Sequence, residues 1–248
     1  AAQSRHVLLL FSGPYDRQDG LAAYLRECGF HVTVIDNDAA NGGNHKHDVL
    51  DNAFFDKLLR RVRGGHFFAI FAAPPCSTFS VSRFFETWSS RKGRGPPPVR
   101  DRHNPNGLDA VPKAHSRELR LANRLVDRTG ALLAAAAEAG TEFILEHPAD
   151  RGNPKDHALF LHHRHAPLWL HSTMKSLAIR TSARFCTFAQ CMFGAEYQKY
   201  TPLMYSPGLA ASLDSLDRHR CTHESHPKMA GGFTDGDGQW DSRRAAAY

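Results

Sequence analysis

The sequence lacks any long hydrophobic run. None of its apolar stretches approaches the ~18 residues that a membrane-spanning helix needs. The first residues also lack the charged, apolar and small-residue regions of a secretory signal peptide. These absences predict a protein without a membrane partner, in the nucleus or the cytoplasm. The chain starts without Met, which is compatible with a domain cut from a larger polypeptide.

Cysteine is scarce, and no internal repeat is found. The five cysteines are an odd number, scattered at Cys28, Cys76, Cys186, Cys191 and Cys221. They do not predict a disulfide framework, so each needs its own explanation. With 42% hydrophobic, 10% aromatic and 23% charged residues, the composition is that of an ordinary globular protein. The 248 residues suffice for one or two domains, and we favour one.

Positive charge is concentrated in one segment. The chain has 31 Lys and Arg against 25 Asp and Glu, which favours a polyanionic partner. Residues 83–128 hold eleven Lys or Arg and five Asp or Glu, so this segment carries the whole excess. Its first half is rich in Pro and Gly and predicts a long mobile loop. The loop is either a solvated surface insertion or a nucleic-acid contact, for which the candidates are Arg83, Arg91, Lys92, Arg94, Arg100 and Arg102.

Apolar strands alternate with amphipathic helices in the sequence. The predicted strands are residues 7–11, 31–35, 67–71 and 142–145, and the predicted helices are residues 20–28, 52–63 and 116–139. The strands are apolar throughout rather than at every second position. This pattern predicts an α/β fold with a mostly parallel sheet and helices on both faces.

Four candidate residues follow four of these strands. Gly13, Asp36, Cys76 and Glu146 are expected at the carboxyl edge of the sheet, where such folds bind ligands. A structural interpretation stays open for the first three: a tight turn, a helix cap and a small buried side chain. Two prolines nevertheless place Cys76 in a loop, where a thiol is more often reactive. Glu146 would be expensive to bury without a function.

The order of the motifs resembles that of a known enzyme family. The motifs are Phe11-Ser12-Gly13, Asp36, Asp48, Pro74-Pro75-Cys76, Glu146-His147-Pro148 and, later, the stretch from Phe193 to Thr201. Together they resemble the cytosine carbon-5 DNA methyltransferases, and most of all the compact methyltransferase-like domains of viral and retroelement polyproteins. The resemblance implies a Rossmann-like class I methyltransferase domain over residues 1–205, with the basic loop 83–128. Residues 206–248 would form a short, irregular C-terminal extension.

The resemblance also implies roles for individual residues. Cys76 would add to carbon 6 of a flipped cytosine, Glu146 would act as the acid at ring nitrogen 3, and Lys199 would be a further catalytic residue. The implied cofactor is S-adenosylmethionine, with Asp36 on its ribose and Asp48 on its adenine. The residues implied to bind it are Phe11, Ser12, Gly13, Pro14, Asp36, Asn37, Asp48, Val49 and Pro74.

The sequence departs from the family pattern at several positions. His147 stands in place of the family's Asn, Tyr15 in place of a second glycine, and Thr201 in place of a late arginine. The stretch after Tyr205 is too short for the family's target-recognition domain, and the final Gly-Asn motif is not found. We therefore expect DNA methylation with low sequence specificity. An RNA cytosine methyltransferase and a non-catalytic nucleic-acid-binding domain are the alternatives.

A second group of residues has the spacing of a metal site. Cys221, His223 and His226 offer a thiolate and two imidazoles within six residues, and Cys191 is a candidate fourth ligand for zinc. The alternative is a histidine-rich exposed loop. The nearby run His162, His163 and His165 is interpreted as surface.

Overall fold

A computed structural model describes residues 5–13, 17–39, 43–85 and 96–226. The described residues contain six strands and five α-helices. The strands are β1 (His6–Leu10), β2 (His31–Ile35), β3 (Ala69–Ala72), β4 (Glu142–Glu146), β5 (Arg184–Ala189) and β6 (Tyr200–Tyr205). The helices are α1 (Leu21–Glu27), α2 (Asn52–Arg63), α3 (Lys113–Glu138), α4 (Ser172–Arg180) and α5 (Ala210–Leu213).

All six strands form one sheet in the order β2-β1-β3-β4-β6-β5. The first four are parallel, whereas β6 pairs antiparallel with both β4 and β5. In the middle of the parallel part, Leu9 lies between Val34 of β2 and Phe71 of β3. The strand order thus runs outward from β1 in both directions. This creates a topological switch point at the carboxyl end of β1. The fold is therefore Rossmann-like α/β, as the sequence predicted.

Helices cover both faces of the sheet. Leu8, Ile70 and Phe143 are fully buried on the face that packs against α2, α3 and α4. On the opposite face, α1 and the short helices after β6 cover the sheet, the latter through a cluster around Cys186 and Tyr205. Because both faces are covered, apolar residues occur at successive positions of the strands.

The sequence located the first four strands and three helices to within a few residues. The largest differences are in β3, which begins two residues later than predicted, and α3, which begins at Lys113 and runs for 26 residues. Phe67 and Phe68 precede β3, and the N–H of Phe68 donates to the carbonyl of His6. Helix α4 and strands β5 and β6 were not predicted.

The basic segment differs from the predicted long mobile loop in its described part. Arg83 belongs to a 3-10 helix, Val81–Phe84, and α3 contains residues 113–128. Between them, the irregular stretch 96–112 is fixed by hydrogen bonds, such as that from the N–H of Leu108 to the carbonyl of Val99. Residues 86–95 lie outside the described residues.

The described part of the C-terminal extension packs against the sheet. Arg184 of β5 forms an ion pair of 2.6 Å with Asp214, and the N–H of Thr187 donates to Asp217 at 2.9 Å. Residues 227–248 lie outside the described part of the chain. None of the described helices is both long and apolar enough to cross a membrane.

Candidate active site

The antiparallel direction of β6 gathers three predicted site residues. Cys76 follows β3, and Glu146 is the last residue of β4. Lys199 directly precedes β6, which starts at the edge where the parallel strands end. The 3.8 Å distance between Lys199 Nζ and Glu146 Oε1 shows that the two side chains meet there.

Cys76 and Lys199 line a groove of about 660 Å³, called here the Cys76 groove. Arg151 and His165 supply polar groups to its wall. Its apolar lining comes from Phe79, Val81, Pro148, Ala149 and Leu161. The groove thus offers an apolar surface for a flat ring beside a thiol and a cation.

Burial and two neighbouring charges set the pKa of Cys76. Burial raises the pKa of its thiol, the charge of Glu146 raises it further, and Lys199 lowers it. Burial lowers the pKa of Lys199, while Glu146 and Cys76 raise it. Since the pKa of Cys76 is raised above its ordinary value, Cys76 is a protonated thiol at neutral pH in the ligand-free protein.

His147 is completely enclosed. Neither ring nitrogen has a hydrogen-bond partner among the described residues. Burial, together with the positive charge of neighbouring groups, lowers the pKa of His147 to about 3. Its ring meets the edges of Phe79 and Trp169, with centroids at 5.1 and 6.1 Å. His147 is therefore a neutral ring packed between Phe79 and Trp169.

The turn after β1 is closed by Asp36. Its carboxylate accepts hydrogen bonds from the N–H of Gly13 at 3.1 Å and of Asp38 at 2.8 Å. Gly13 has φ 70°, a conformation that favours glycine, and Phe11 has φ 59°. Ser12 Oγ is buried and has no hydrogen-bond partner in the described part of the chain. This edge therefore offers an unused hydroxyl and an acid beside a glycine turn.

The other predicted cofactor-binding residues differ in their environments. Asp48 accepts a hydrogen bond from the N–H of Leu50 at 2.8 Å, while Val49 and Pro74 are buried. Asn37 is exposed, and Pro14 lies outside the described residues. Phe11 and Ser12 also line an apolar pocket, together with Leu9, Val34 and Phe71 of the sheet.

The expectation that Arg83 and Arg100 contact nucleic acid is wrong for the structure described here, because both guanidinium groups are buried. Arg83 donates to the carbonyls of Ser77 and Pro97 and pairs with Glu118. Arg100 is 2% exposed and donates to Thr78, Pro105 and Asn123. Its guanidinium also lies 3.8 Å from the centre of the Phe79 ring. These two cations hold the segment that follows Cys76.

Arg102 is also engaged within the protein, through two hydrogen-bonding nitrogens on Asp150. The remaining predicted contacts, Arg91, Lys92 and Arg94, lie outside the described residues. The interpretation of His165 as a surface residue is corrected too. Its Nδ1 accepts from the N–H of Arg151 at 3.0 Å, and its buried Nε2 bonds to the carbonyl of Phe79 at 2.9 Å.

The sequence reasoning missed a basic stripe on α3. Lys113, Arg117, Arg120 and Arg124 are all exposed. Their spacing of four, three and four residues puts them on one side of a helix. That spacing was visible in the sequence, but the charges were assigned to the segment as a whole.

The four candidate zinc ligands come together in the structure. The potential ligand atoms of Cys191, Cys221, His223 and His226 all lie within 4.8 Å of one another. Cys221 Sγ is 3.6 Å from Nδ1 of His223 and 3.3 Å from Nε2 of His226. Cys191 is buried, in the 3-10 helix Gln190–Phe193 that follows β5.

Comparisons with known proteins give similarities to solved structures alone. No family model matches the sequence, and no curated protein matches it. A solved structure of a triple mutant of Spodoptera frugiperda DNMT2 is similar over 90% of this chain, with a TM-score of 0.34 and 10% identity. This chain spans about half the length of that protein, 54% of which is covered. A likeness at this TM-score does not define activity or substrate.

Proposed function

We propose that the protein is an S-adenosylmethionine-dependent methyltransferase that acts on carbon 5 of cytosine in DNA. The observation that carries this proposal is the meeting of Cys76, Glu146 and Lys199 at the carboxyl edge of the sheet, beside the turn closed by Asp36. Each of the three comes from a different segment. A thiol and a cation in one groove, with a buried carboxylate against the cation, suit covalent addition to a pyrimidine ring.

Cys76 provides the nucleophile in this reaction. Its thiolate adds to carbon 6 of the base, and the electron pair of the carbon 5–carbon 6 double bond becomes available at carbon 5. Carbon 5 would then take the methyl group, whose bond to the sulfonium sulfur of the donor breaks and leaves a neutral thioether. Loss of the carbon 5 proton to water and cleavage of the bond between Cys76 and carbon 6 would restore the double bond and free the thiolate. The base has to leave the duplex to reach the Cys76 groove, at a cost of ~a few kcal/mol. The apolar lining from Phe79 and Val81 suits an unstacked ring.

Glu146 and Lys199 influence the protonation of both the cytosine ring and the Cys76 thiol. A protonated Glu146 donates to ring nitrogen 3, which makes carbon 6 easier to attack. The same protonation removes the negative charge that raises the pKa of Cys76. Lys199 then lowers the pKa of Cys76 against the effect of burial alone. Glu146, the acid that activates the cytosine, therefore also helps the Cys76 thiol to ionise.

The edge near β1 fits the cofactor, which supplies an electrophilic methyl group when bound. Ser12 Oγ is a buried hydroxyl without a partner among the described residues, and Asp36 keeps acceptor capacity beyond its two backbone bonds. Phe11 offers an aromatic surface beside them. These residues would hold the nucleoside part.

The nucleic acid is assigned to the basic stripe of α3. The buried positions of Arg83 and Arg100 leave Lys113, Arg117, Arg120 and Arg124 as exposed cations on the helix to which Arg83 is tied by Glu118. Such cations bind phosphates without reading the base sequence. Low sequence specificity is the expected result.

Transfer of labelled methyl groups tests this function. The purified protein is given S-adenosylmethionine and cytosine-containing duplex DNA, single-stranded DNA or RNA. We expect labelling of duplex DNA that Cys76→Ser abolishes and Cys28→Ser, a change of an exposed thiol, leaves intact. Labelling of RNA alone would replace the DNA substrate by RNA. No labelling of any nucleic acid, with the cofactor bound, would support the non-catalytic alternative.

A further inference from the structure

We propose that Zn²⁺, bound by Cys191, Cys221, His223 and His226, fixes one wall of the Cys76 groove. The metal site itself does not depend on the proposed methyl transfer. The zinc site would be a structural element separate from the Rossmann-like sheet, which does not require it.

The donor set is that of a closed zinc site. Two sulfurs and two imidazole nitrogens are the ligands of many structural zinc centres, in which all four positions are filled by protein. The four potential ligand atoms lie within 4.8 Å of one another, a spread that small side-chain rotations would close to tetrahedral coordination. Ligands of this softness disfavour Mg²⁺ and Ca²⁺, which prefer oxygen.

Hydrogen bonds already align the two segments that carry the ligands. The N–H of Ala189 donates to the carbonyl of His219 at 2.8 Å. His219 lies two residues before Cys221 in the chain. On the other side, the N–H of Cys221 donates to the hydroxyl of Tyr200 at 3.3 Å. The site is therefore built on backbone that the sheet positions, and the metal would join the end of β5 to the chain after residue 218.

The same segment forms part of the Cys76 groove. Glu224, Ser225 and His226 line the groove together with residues already assigned to the chemistry, Cys76 and Lys199. Gln190, the neighbour of Cys191, in turn donates its N–H to the carbonyl of Lys199 at 2.9 Å. Zinc bound here would hold the backbone of Lys199. It would also hold the wall formed by Glu224, Ser225 and His226, called here the Glu224 wall.

Metal binding by the whole protein tests the site. Metal is removed with a chelator, and Zn²⁺ is titrated back in the presence of a chromogenic competitor. We expect one tightly bound Zn²⁺ per chain, lost in Cys221→Ser and in His223→Asn. Cys28→Ser and His157→Asn, changes of exposed residues, are the matched controls and should keep it. Equal zinc binding by the site variants and the controls would overturn the proposal.

X-ray absorption of the zinc-loaded protein gives a readout that does not depend on variants. The expected shell is two sulfurs at about 2.3 Å and two nitrogens at about 2.0 Å. A shell of oxygen and nitrogen without sulfur would contradict the assignment.

Hydrogen exchange tests the effect on the groove. Removing zinc should raise amide exchange in residues 189–193 and 219–226 and at Lys199 and Tyr200, with no change in β1 or β3. Unchanged exchange in the Glu224 wall would refute its fixation by the metal. None of these measurements uses a substrate, so a failure of methyl transfer and a failure of the zinc site are separate results.

Discussion

The basic segment 83–128 contains two populations of cations with opposite environments. Arg83 and Arg100 are buried. Arg83 donates hydrogen bonds to backbone carbonyls and pairs with Glu118, whereas Arg100 donates to a carbonyl, a hydroxyl and a side-chain amide. Arg117 and Arg120 are exposed on α3. A run of positive charge in a sequence therefore divides into two environments here. One part holds the chain that follows Cys76, and the other faces solvent on α3.

Arg100, one of the two buried cations, belongs to a cluster of aromatic and imidazole rings. Arg100 lies over the Phe79 ring, which meets the rings of His147 and His171 edge-on, with centroids at 5.1 and 6.4 Å. Arg100 is charged, and its charge helps to keep both histidines neutral. The comparison predicts that changes in the cluster alter stability, whereas changes in the stripe alter binding.

Replacing Arg100 by Met should have the largest effect on stability. Thr78, Asn123 and the carbonyl of Pro105 would lose a charged donor, and acceptors left unpaired inside a protein are costly. We expect the free energy of unfolding in urea to fall by about 3 kcal/mol. Lys57→Met, on the exposed side of α2, should change it by less than about 0.5 kcal/mol. Equal effects of the two changes would erase the distinction between the populations.

Acid should weaken the fold through the buried histidines. Burial, together with Arg100, lowers the pKa of His171 from 6.5 to about 4 despite Asp127. Between these values the unfolded chain binds more protons than the folded one, so stability falls as the pH falls. The loss at pH 5 is about 2 kcal/mol for this group.

His171→Asn isolates that contribution. His171 accepts the N–H of Thr173 at the start of α4, and Asn is a good residue for that position. The variant should lose about 2 kcal/mol less than the wild type between pH 7 and pH 5 in urea unfolding. An unchanged pH dependence, with His157→Asn as the exposed control, would show that His171 is not kept neutral by the fold.

The exposed stripe should affect binding and not stability. In Arg117→Ala/Arg120→Ala, the slope of log affinity for duplex DNA against log salt should flatten by about 0.9 for each phosphate that the variant no longer neutralises. Lys57→Ala/Arg60→Ala removes two exposed charges at the same helical spacing and should leave the slope unchanged. A smaller slope in both pairs would indicate net charge rather than a surface.

The thiols also differ in exposure, since Cys76 is partly buried and Cys28 is exposed. Because the pKa of Cys76 is raised by burial and by Glu146, its alkylation by iodoacetamide should be slow at neutral pH and accelerate in alkali. Glu146→Gln should accelerate it and Lys199→Gln should slow it. Peptide mass spectrometry measures the rate, with exposed Cys28 in the same sample as the control. Slower alkylation in Glu146→Gln would contradict the electrostatics of the site.

The first four strands were predictable because their signals are local. Each is a short apolar run followed by a turn, and α2 shows its buried face in Leu58 and Val62. Strand β6 was missed because Pro202 interrupts its pattern. In the sheet, Pro202 lies beyond the part of β6 that pairs with β4 and has only β5 as a neighbour. Proline is tolerated in such a position.

The site was predictable in part. The motifs named Cys76, Glu146 and Lys199, but only the antiparallel return of β6 shows why they meet. Burial of Arg100 could not be predicted, because nothing local distinguishes it from the exposed arginines. Its environment comes from Thr78 and Asn123, both more than twenty residues away.

Trapping of a covalent adduct tests the central claim most directly. Duplex DNA containing 5-fluorocytosine cannot lose the substituent at carbon 5 after methylation, so a cysteine nucleophile should stay bound to it under denaturing conditions. With S-adenosylmethionine, the wild type and Cys28→Ser should form this adduct, with the DNA attached to the peptide of Cys76, and Cys76→Ser should not. An adduct that persists in Cys76→Ser, or none from wild-type protein shown by calorimetry to bind the cofactor, would contradict covalent catalysis by Cys76.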